Sequence, residues 1–439
     1  MASKLAPTRN LQMPNRPTDS ESSRLNLGDV LGPGLVAGAS DDDPSGIATY
    51  SQVGAQFGYA MLWVMPFSFP LMAGIQETCA DIGRVTGKGI AGNLVRHHPR
   101  WIAFGLVSTL VLANVINIAA DLAAMASAAQ LLVGGSAAFF ALMFALVSLG
   151  LQVFTPYHRY VKFLKWLSLA LLAYVGTVLV AHVIWPEAIH STLVPNLSAT
   201  KFSITSLVAV LGTTISPYLF FWQASQEVEE ERGSRVQHPL IHAPLQARFQ
   251  LSRIKWDTYI GMFLSNAVAY FIIMAVAATL HARGIVDIQS ADQAAQALRP
   301  VAGELAYLLF TIGILGTGLL ALPVLAGSIG YAVTELAGWK FGLERPWHQA
   351  RQFYGIIAIS ILAGLGLTVA HVNPMKALFW SAVINGVAAG PIMILTMRMA
   401  SDNKVMGNFC VGRRQRILGW LATAVMLAAS VAMFIFWGK

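Results

Sequence analysis

The chain has 439 residues, of which 56% are hydrophobic and only 11% are charged. A soluble domain normally carries roughly 25% charged residues, so this composition excludes an ordinary soluble protein. The net charge of +8 does not indicate a nucleic-acid partner, because the basic residues lie in short clusters between long uncharged stretches. Two cysteines without Cys-x-x-Cys or Cys/His spacing give no support to a disulfide framework or a structural zinc site.

Uncharged apolar stretches recur along the chain, and a helix needs about 20 such residues to span a bilayer. They are continuous, whereas the strands of an outer-membrane barrel alternate in hydrophobicity over about ten residues. Two spans are expected within Gly28–Gln76. Nine more follow at Trp101–Ala120, Gly134–Tyr157, Trp166–Trp185, Phe202–Gln226, Tyr259–Leu280, Leu305–Thr334, Gln352–Met375, Ala377–Met397 and Ile417–Gly438. The sequence therefore predicts an all-α polytopic membrane protein with eleven transmembrane helices.

The basic residues predict how these spans are oriented. If the N-terminus is cytoplasmic, all but five of the Lys and Arg residues fall on the cytoplasmic side, as the positive-inside rule requires. The exceptions are Lys201, Arg283, Arg299, Lys376 and Lys439. We therefore expect a multi-pass protein of an inner or plasma membrane, with its N-terminus in the cytoplasm and its C-terminus outside.

Two spans carry a proline in their middle, beside a polar group. The first reads Gly38-Ala-Ser-Asp-Asp-Asp-Pro44 and the sixth reads Gly212-Thr-Thr-Ile-Ser-Pro217. Proline removes a backbone donor and disfavours helical geometry at the residue before it, which here is Asp43 or Ser216. Spans one and six hold corresponding places in two five-helix halves, and matched broken helices in inverted repeats mark transporter sites. The pair predicts a transporter with its site between two unwound segments; two purely structural kinks are the alternative.

Three consecutive carboxylates, Asp41, Asp42 and Asp43, lie at the first break. A carboxylate within the membrane is costly and indicates a functional site by default. We expect Asp43 to face the site, whereas Asp41 and Asp42 are also compatible with a helix end that faces water. Carbonyls freed at Ser40 and Thr213, together with the Asp43 carboxylate, would suit a hard divalent cation.

The motifs around this break resemble those of the natural resistance-associated macrophage protein (Nramp) family. The matching segments are Gly32-Pro-Gly-Leu-Val, Asp43-Pro-Ser-Gly-Ile-Ala-Thr, Gly54-Ala-Gln-Phe-Gly-Tyr, Leu62-Trp and Val85-Thr-Gly-Lys. The resemblance is densest over residues 31–90 and is colinear through the rest of the chain. It implies a LeuT-like fold with a 5+5 inverted repeat, and divalent metal transport by alternating access.

The resemblance also implies a division of the chain into three parts. The first 26 residues are polar and lack the apolar region of a cleaved signal, which predicts a disordered cytoplasmic tail. Residues 27–400 are expected to form the LeuT-like transport core with helices 1 to 10. Residues 401–439 are expected to form a cytoplasmic loop and an eleventh helix outside that core.

The chain departs from the family pattern at several ligand positions. Gly46 stands where the first-helix motif Asp-Pro-Gly-Asn has its Asn, and Ser216 stands where the sixth-helix motif Met-Pro-His has its Met. Tyr218 takes the place of the His in the second motif. On the third helix the family uses an Asp and a Glu to move protons; Asp121 keeps the Asp, and Ala124 replaces the Glu.

These departures predict a change of substrate. A Met thioether favours transition metals over hard alkaline-earth ions, so its loss makes the site harder. Mg²⁺ dehydrates reluctantly and keeps several waters, which a roomier site with small polar walls would admit. The pattern resembles the Nramp-related magnesium transporter branch, and we expect Mg²⁺ with Mn²⁺ also accepted, and weak or no proton coupling. The alternative is a classical proton-coupled Mn²⁺/Fe²⁺ symporter.

Other polar residues of the spans are weaker candidates. Gln223 and Glu227 share one face of the sixth helix, and we expect that face to line the inner vestibule. Glu229–Glu231 are expected to form a solvated cytoplasmic helix end. Asn385 either faces the site, as tenth-helix polar residues do in the resembled family, or makes an interhelical hydrogen bond. Asn114 and Asn117 on the third helix carry the same two readings.

Other classes of protein fit the sequence less well. No P-loop, dinucleotide-binding glycine pattern, catalytic triad or His-Glu-x-x-His motif occurs, so we expect neither an enzyme nor a bound cofactor. The expected partners are a divalent metal ion and the lipid bilayer, with no nucleic acid and no obligatory protein partner. A LeuT-like carrier of an organic solute remains an alternative, although Asp43 would repel a substrate carboxylate. A membrane scaffold is a third possibility, but unwound helices would not benefit it.

Overall fold

A computed structural model describes residues 32–155, 168–196, 200–234, 236–368 and 373–437 of the chain. These residues form a bundle of helices, since a helix satisfies its own backbone hydrogen bonds within the apolar membrane. The principal helices are α1 (Pro33–Asp41), α2 (Pro44–Phe57), α3 (Val64–Thr86), α4 (Ile90–His97), α5 (Arg100–Val133), α6 (Ala137–Phe154), α7 (Leu172–Val180), α8 (Trp185–Leu193), α9 (Lys201–Thr214), α10 (Pro217–Gly233), α11 (Ala247–Thr279), α12 (Ala306–Ala337), α13 (Arg351–Thr368), α14 (Pro374–Ala400) and α15 (Arg413–Trp437).

Eight helical segments in the described ranges are long and apolar enough to cross a membrane. They contain α5, α6, the α9–α10 pair, α11, α12, α13, α14 and α15. The remaining predicted spans fall on the α1–α2 pair, on α3 with its charged residues Glu77, Asp81 and Arg84, and on the shorter apolar helix Leu169–Val180. The predicted all-α membrane fold is confirmed, whereas the count of eleven and the 5+5 repeat stay predictions.

Both predicted breaks are present. Helix α1 ends at Asp41 and α2 begins at Pro44, with Asp43 in an extended conformation (φ −68°, ψ 171°). Helix α9 ends at Thr214 and α10 begins at Pro217. In each case the residue before proline leaves helical geometry because the pyrrolidine ring crowds its backbone, and proline then serves as the first residue of the next helix.

Glycines allow the broken helices to pack closely on their neighbours. A Cβ atom added to Gly38 of α1 would collide with the backbone of Gly261 on α11. One added to Gly212 of α9 would collide with the carbonyl of Ala382 and with Gly386 on α14. Small residues let membrane helices approach to backbone contact, so each broken helix has one unbroken helix as a rigid support.

The end of the bundle at which α3 and α10 end and α11 and α15 begin is called the basic end below. Its residues include Arg84, Arg232, Arg253, Arg398 and Arg414. Large apolar side chains such as Phe139, Phe154 and Phe434 are exposed on the sides of the bundle, as expected for contact with lipid. The predicted tail 1–26, residues 28–31 of the first span, the basic residues Arg159, Lys162, Lys165 and Arg235, and Lys439 lie outside the described residues. The three-part division of the chain stays a prediction.

Candidate functional site

The Asp43 carboxylate lies at the first break and caps the N-terminus of α2. Its Oδ1 accepts hydrogen bonds from the Ser45 hydroxyl (2.7 Å) and from the Gly46 N–H (2.7 Å). Its Oδ2 accepts one hydrogen bond, from Asn117 Nδ2 on α5 at 2.9 Å. Because each carboxylate oxygen has about two acceptor positions, Oδ1 is filled and Oδ2 keeps one position free. Asp43 is fully buried, so this free position points into the protein interior.

Asp121 lies one turn beyond Asn117 on the same face of α5. It is fully buried, and neither of its carboxylate oxygens has a hydrogen-bond partner within the described part of the chain. It is close enough to Asp43 for their charges to interact. Among the described residues, no Lys, Arg or His forms an ion pair with either carboxylate. Within the ranges given above, Asp43 has hydrogen bonds but no counter-charge, and Asp121 has neither, so burial of the two carboxylates is costly and a divalent cation bound by both would offset that cost.

Other predicted ligands on the two breaks are near this place but are engaged within the protein. The Ser40 carbonyl accepts a hydrogen bond from the Tyr218 hydroxyl at 3.1 Å. The Thr213 carbonyl accepts one from the Ser216 hydroxyl at 2.8 Å, and that hydroxyl also lies 2.9 Å from the Gly212 carbonyl. The roles of Ser40, Thr213, Ser216 and Tyr218 at a metal ion stay predictions.

Gly46 occupies a tight position beside the first break. A Cβ atom added there would lie 3.1 Å from Thr213 Oγ1, 3.3 Å from the Asp41 carbonyl and 3.3 Å from the Tyr50 ring. A larger residue would therefore displace polar groups that face the break. The absence of a side chain at Gly46 therefore lets α2 pack closely on Thr213 of α9 at the first break.

A cavity of about 310 Å³ leads toward this region from the end opposite the basic end. Ile47 and Ser51 of α2 and Ala124 and Ser127 of α5 are among its lining residues. Ile47 and Ala124 lie about one helical turn from Asp43 and Asp121 respectively. Asp292, between α11 and α12, lies in the same lining. The cavity therefore brings space for a small ion to within one turn of the two carboxylates.

Buried polar contacts fill the region between the two carboxylates and the basic end. Gln223 of α10 accepts a hydrogen bond from Gln76 of α3 at 2.6 Å and donates one to Thr258 of α11 at 2.8 Å. Glu227 contacts Arg253 of α11 at 2.5 Å and is completely buried. Both side chains are held in contacts between helices, so this face is closed in this conformation, and the expected place of Gln223 and Glu227 on an inner vestibule stays a prediction.

The N-terminus of α1 is held at the basic end by Asp257 of α11. The Asp257 carboxylate accepts hydrogen bonds from the backbone N–H groups of Gly32 (3.0 Å), Gly34 (2.7 Å) and Leu35 (3.1 Å). These are N–H groups that the first turn of a helix leaves unpaired, and a negative charge is favourable there. Asp257 thus fixes the half-helix that leads to the first break.

Two of the three glutamates expected at a solvated helix end are buried. Glu229 accepts hydrogen bonds from the Tyr331 hydroxyl (2.6 Å) and from the backbone N–H groups of Leu343 (2.8 Å) and Glu344 (3.2 Å). Glu231 is also buried, and only Glu230 is substantially exposed. The expectation is wrong for Glu229 because the loop after α12 folds over the end of α10, and it is wrong for Glu231 because that side chain packs near Gly87 at the end of α3.

Asp41 and Asp42 do not face water either. Their side chains are buried, with 0% and 5% of each residue exposed. The Ser265 hydroxyl of α11 lies 2.7 Å from Asp41 Oδ2 and 3.2 Å from Asp42 Oδ1. The reading of these two residues as a water-facing helix end is corrected by the packing of α1 on α11.

Asn114, Asn117 and Asn385 were each expected either to face the site or to make a hydrogen bond between helices. Asn117 contacts Asp43, as described above, whereas Asn114 donates to the Ser328 hydroxyl of α12 at 2.7 Å and serves as an interhelical contact. Asn385 of α14 is buried, and its Oδ1 has no partner among the described residues. Its role at the site stays a prediction.

Sequence reasoning missed the polar stripe of α11, made of Arg253, Asp257 and Ser265. These residues are spaced by four and eight positions and therefore share one helix face with Gly261, against which α1 packs. That spacing was a usable signal. The span predicted from uncharged residues begins only at Tyr259, whereas the helix begins at Ala247 and therefore includes Arg253 and Asp257.

Comparison with known proteins agrees with this architecture. Residues 34–436 match the family model described as natural resistance-associated macrophage protein-like. The solved structure of the Eremococcus coleocola manganese transporter, in complex with an aromatic bis-isothiourea substituted compound, is 17% identical, with a TM-score of 0.71 over 93% of this chain and 86% of that one. A mutant of the same transporter with one histidine changed to alanine is 16% identical, with a TM-score of 0.73 over 94% and 87%.

At these identities the solved structures establish a shared fold, while the family model covers most of the chain. The multi-pass membrane architecture and the expectation of a transporter without a cofactor are confirmed together. The chain therefore belongs to the Nramp family, a family of membrane transporters for divalent metal ions rather than of enzymes.

Proposed function

We propose that the protein carries Mg²⁺ across the membrane, accepts Mn²⁺ as well, and works by alternating access with weak or no proton coupling. The N-terminus is taken to lie in the cytoplasm, so that the basic end faces inward. In this proposal the ion binds between Asp43 and Asp121, and the two broken helices supply further oxygens as they move.

The observation that carries the proposal is the pair of buried carboxylates at the first break. Asn117 occupies one acceptor position of Asp43 Oδ2 and leaves another free, and both oxygens of Asp121 lack partners in the described chain. A doubly charged ion matches the charge of this pair. Because Asp43 has one free position, it would bind a cation through a single oxygen, which leaves room for waters that Mg²⁺ retains.

The donors near the pair support a hard cation. Ser216, at the position of the family's thioether, has a hydroxyl that is turned toward its own helix end. Gly46 contributes no side-chain ligand. Oxygen donors of this kind suit Mg²⁺ and also Mn²⁺, whereas a thioether would favour softer transition metals.

One contact favours the second candidate, a Mn²⁺ carrier. Met125 lies one turn beyond Asp121, and its sulfur is so close to Gly318 that a Cβ atom there would lie 2.5 Å from it. The same Cβ atom would lie 3.3 Å from Pro44 Cγ at the first break. A thioether therefore lies near the break on α5 rather than at the position of Ser216. A small movement of α5 would bring it closer to the ion.

Alternating access is supported by the asymmetry of the two ends. A cavity approaches the carboxylates from the end opposite the basic end, whereas Gln223, Glu227 and Asp257 are locked in buried contacts at the basic end. This is the arrangement expected of a state open toward the outside, in which release inward requires those contacts to separate.

The test is uptake into liposomes that contain the purified protein, with Mg²⁺ or Mn²⁺ outside and a pH indicator inside. We expect uptake of both ions without internal acidification, and loss of uptake in the Asp43→Ala variant. Met125→Leu is the matched test of the second candidate, because it removes the thioether on which that candidate rests and should leave Mg²⁺ uptake unchanged. Exclusive Mn²⁺ uptake with proton entry would refute the Mg²⁺ proposal, and normal uptake by Asp43→Ala would refute the site.

A further inference from the structure

We propose that an anionic phospholipid binds to the side of the bundle at the end opposite the basic end, with its phosphate at Lys201 and Lys376 and an acyl chain along α14. This inference goes beyond the proposed function and is independent of which ion the protein carries. It starts from two of the lysines that are exceptions to the positive-inside pattern.

The two lysines line one cavity. Lys201 is the first residue of α9, and Lys376 lies in the first turn of α14. Both residues are exposed, and both line a cavity of about 640 Å³ together with Gln52 and Asp287. The Asp287 carboxylate already accepts hydrogen bonds from the side chains of Gln52 and Gln289. The described lining residues therefore carry one more positive than negative charge, which favours an anion.

The fold adds a second source of positive potential at this cavity. Helices α9 and α14 both begin there, and the N-terminal end of a helix attracts negative charge. The two helices lie side by side, because Gly212 of α9 packs against Gly386 of α14. Basic pockets between membrane helices bind the anionic head groups of lipids, and a lysine forms charge-assisted hydrogen bonds with phosphate.

An apolar groove continues from the cavity along α14. Trp380 lines the cavity and also a groove of about 480 Å³ between α5, α14 and α15, whose described lining is almost entirely apolar. Ile384, Val387 and Pro391 follow Trp380 in this groove. Together with Lys376 they are spaced by three or four positions, so they share one face of α14. The face therefore passes from a cation, through an indole ring of the kind found at membrane interfaces, to an apolar surface.

This combination identifies the occupant. A free inorganic anion would use only the cavity, and a neutral lipid or a detergent would use only the groove. An anionic phospholipid has a head group for the first and an acyl chain for the second. The surplus of one positive charge in the cavity also matches the single negative charge of a phosphodiester.

Native mass spectrometry of the detergent-purified full chain tests the inference, with phosphatidylglycerol and phosphatidylcholine of the same acyl chains as probes. We expect the wild type to retain one phosphatidylglycerol at least tenfold more tightly than phosphatidylcholine, and K201Q/K376Q to lose this preference. Because both lysines are exposed, the double variant should fold. R283Q/R299Q is the matched control, since it removes the same charge outside the cavity and should keep the preference.

A second variant tests the acyl chain. Val387→Phe narrows the groove and leaves both lysines in place, and we expect it to weaken phosphatidylglycerol by roughly tenfold. Inorganic phosphate should not displace the lipid from the wild type. Equal retention of the two lipids by the wild type, or an unchanged preference in K201Q/K376Q, would overturn the inference. Displacement by inorganic phosphate, or full binding by Val387→Phe, would overturn the assignment of a phospholipid as the occupant.

Discussion

Asn117 Nδ2 donates a hydrogen bond to Asp43 Oδ2 at 2.9 Å, and this contact leaves a single position on the carboxylate for a metal ion. The contact joins α5 to the unwound segment before α2. It also orients the carboxylate, whose other oxygen is occupied by the N-terminus of α2.

Replacement of this amide should weaken ion binding without unfolding the protein. We expect Asn117→Ala to raise the KM for Mg²⁺ uptake about tenfold, since partners that orient a ligand typically contribute 10- to 100-fold in affinity. Asn114→Ala is the matched control, because Asn114 lies on the same helix and bonds to Ser328 instead. An equal rise in KM for both variants would mean that Asn117 acts only through helix packing.

Introduction of the family's asparagine at Gly46 should impair transport rather than change its selectivity. Its Cβ atom would come within 3.1 Å of Thr213 Oγ1, and overpacking of this kind costs about 1–3 kcal/mol. We expect Gly46→Asn to lower both the thermal midpoint and Mg²⁺ uptake, and the added change Thr213→Ala to restore part of each. If Gly46→Asn alone took up Mn²⁺ at the wild-type rate, the site would be roomier than the structure shows.

A thioether placed at the second break should shift the preference between ions. Ser216→Met would release the Gly212 and Thr213 carbonyls from the Ser216 hydroxyl and would add a soft ligand. We expect the ratio of Mn²⁺ to Mg²⁺ uptake to rise, as measured in parallel flux assays on the same liposomes. Ser216→Leu is the control for size, and a similar ratio in both variants would argue against a role for the sulfur.

Loss of the charge on Asp257 should loosen the N-terminal half of the first helix. The carboxylate accepts three backbone N–H bonds, whereas the Asn amide has only one acceptor oxygen. Each buried N–H group left without an acceptor costs about 1–3 kcal/mol. We therefore expect hydrogen exchange at Gly34 and Leu35 to be at least tenfold faster in Asp257→Asn. Asp287→Asn, at the opposite end, should leave exchange there unchanged. Equal exchange in Asp257→Asn and the wild type would show that other packing holds α1.

The buried Glu229 should contribute more to stability than its neighbour Glu230. Glu229→Gln leaves one of its three donors without a good partner, which costs about 1–3 kcal/mol. The Glu230 side chain is 42% exposed and its ion pair with Arg253 is partly solvated, so Glu230→Gln should stay within about 1 kcal/mol of the wild type. Thermal unfolding in detergent compares the two variants, and a midpoint for Glu229→Gln as high as that for Glu230→Gln would contradict the assignment.

The sequence by itself determined the features that depend on local chemistry. Continuous apolar stretches indicate membrane helices wherever they occur, and Pro44 and Pro217 break their helices because proline constrains the residue directly before it. The importance of Asp43 followed from its place next to Pro44, and the match to Nramp motifs followed from short segments around that break.

Only the tertiary structure decided which polar side chains face one another. Asp41 and Asp42 are buried against Ser265 because of the face that α11 turns toward α1. The same face lets Asp257 accept the hydrogen bond from the Gly34 N–H. Likewise, Glu229 is buried because the loop after α12 folds over the end of α10. These partners lie 114 to 224 positions apart in the chain, and although the polar stripe of α11 marks one face of that helix, the sequence does not say which other helix that face meets.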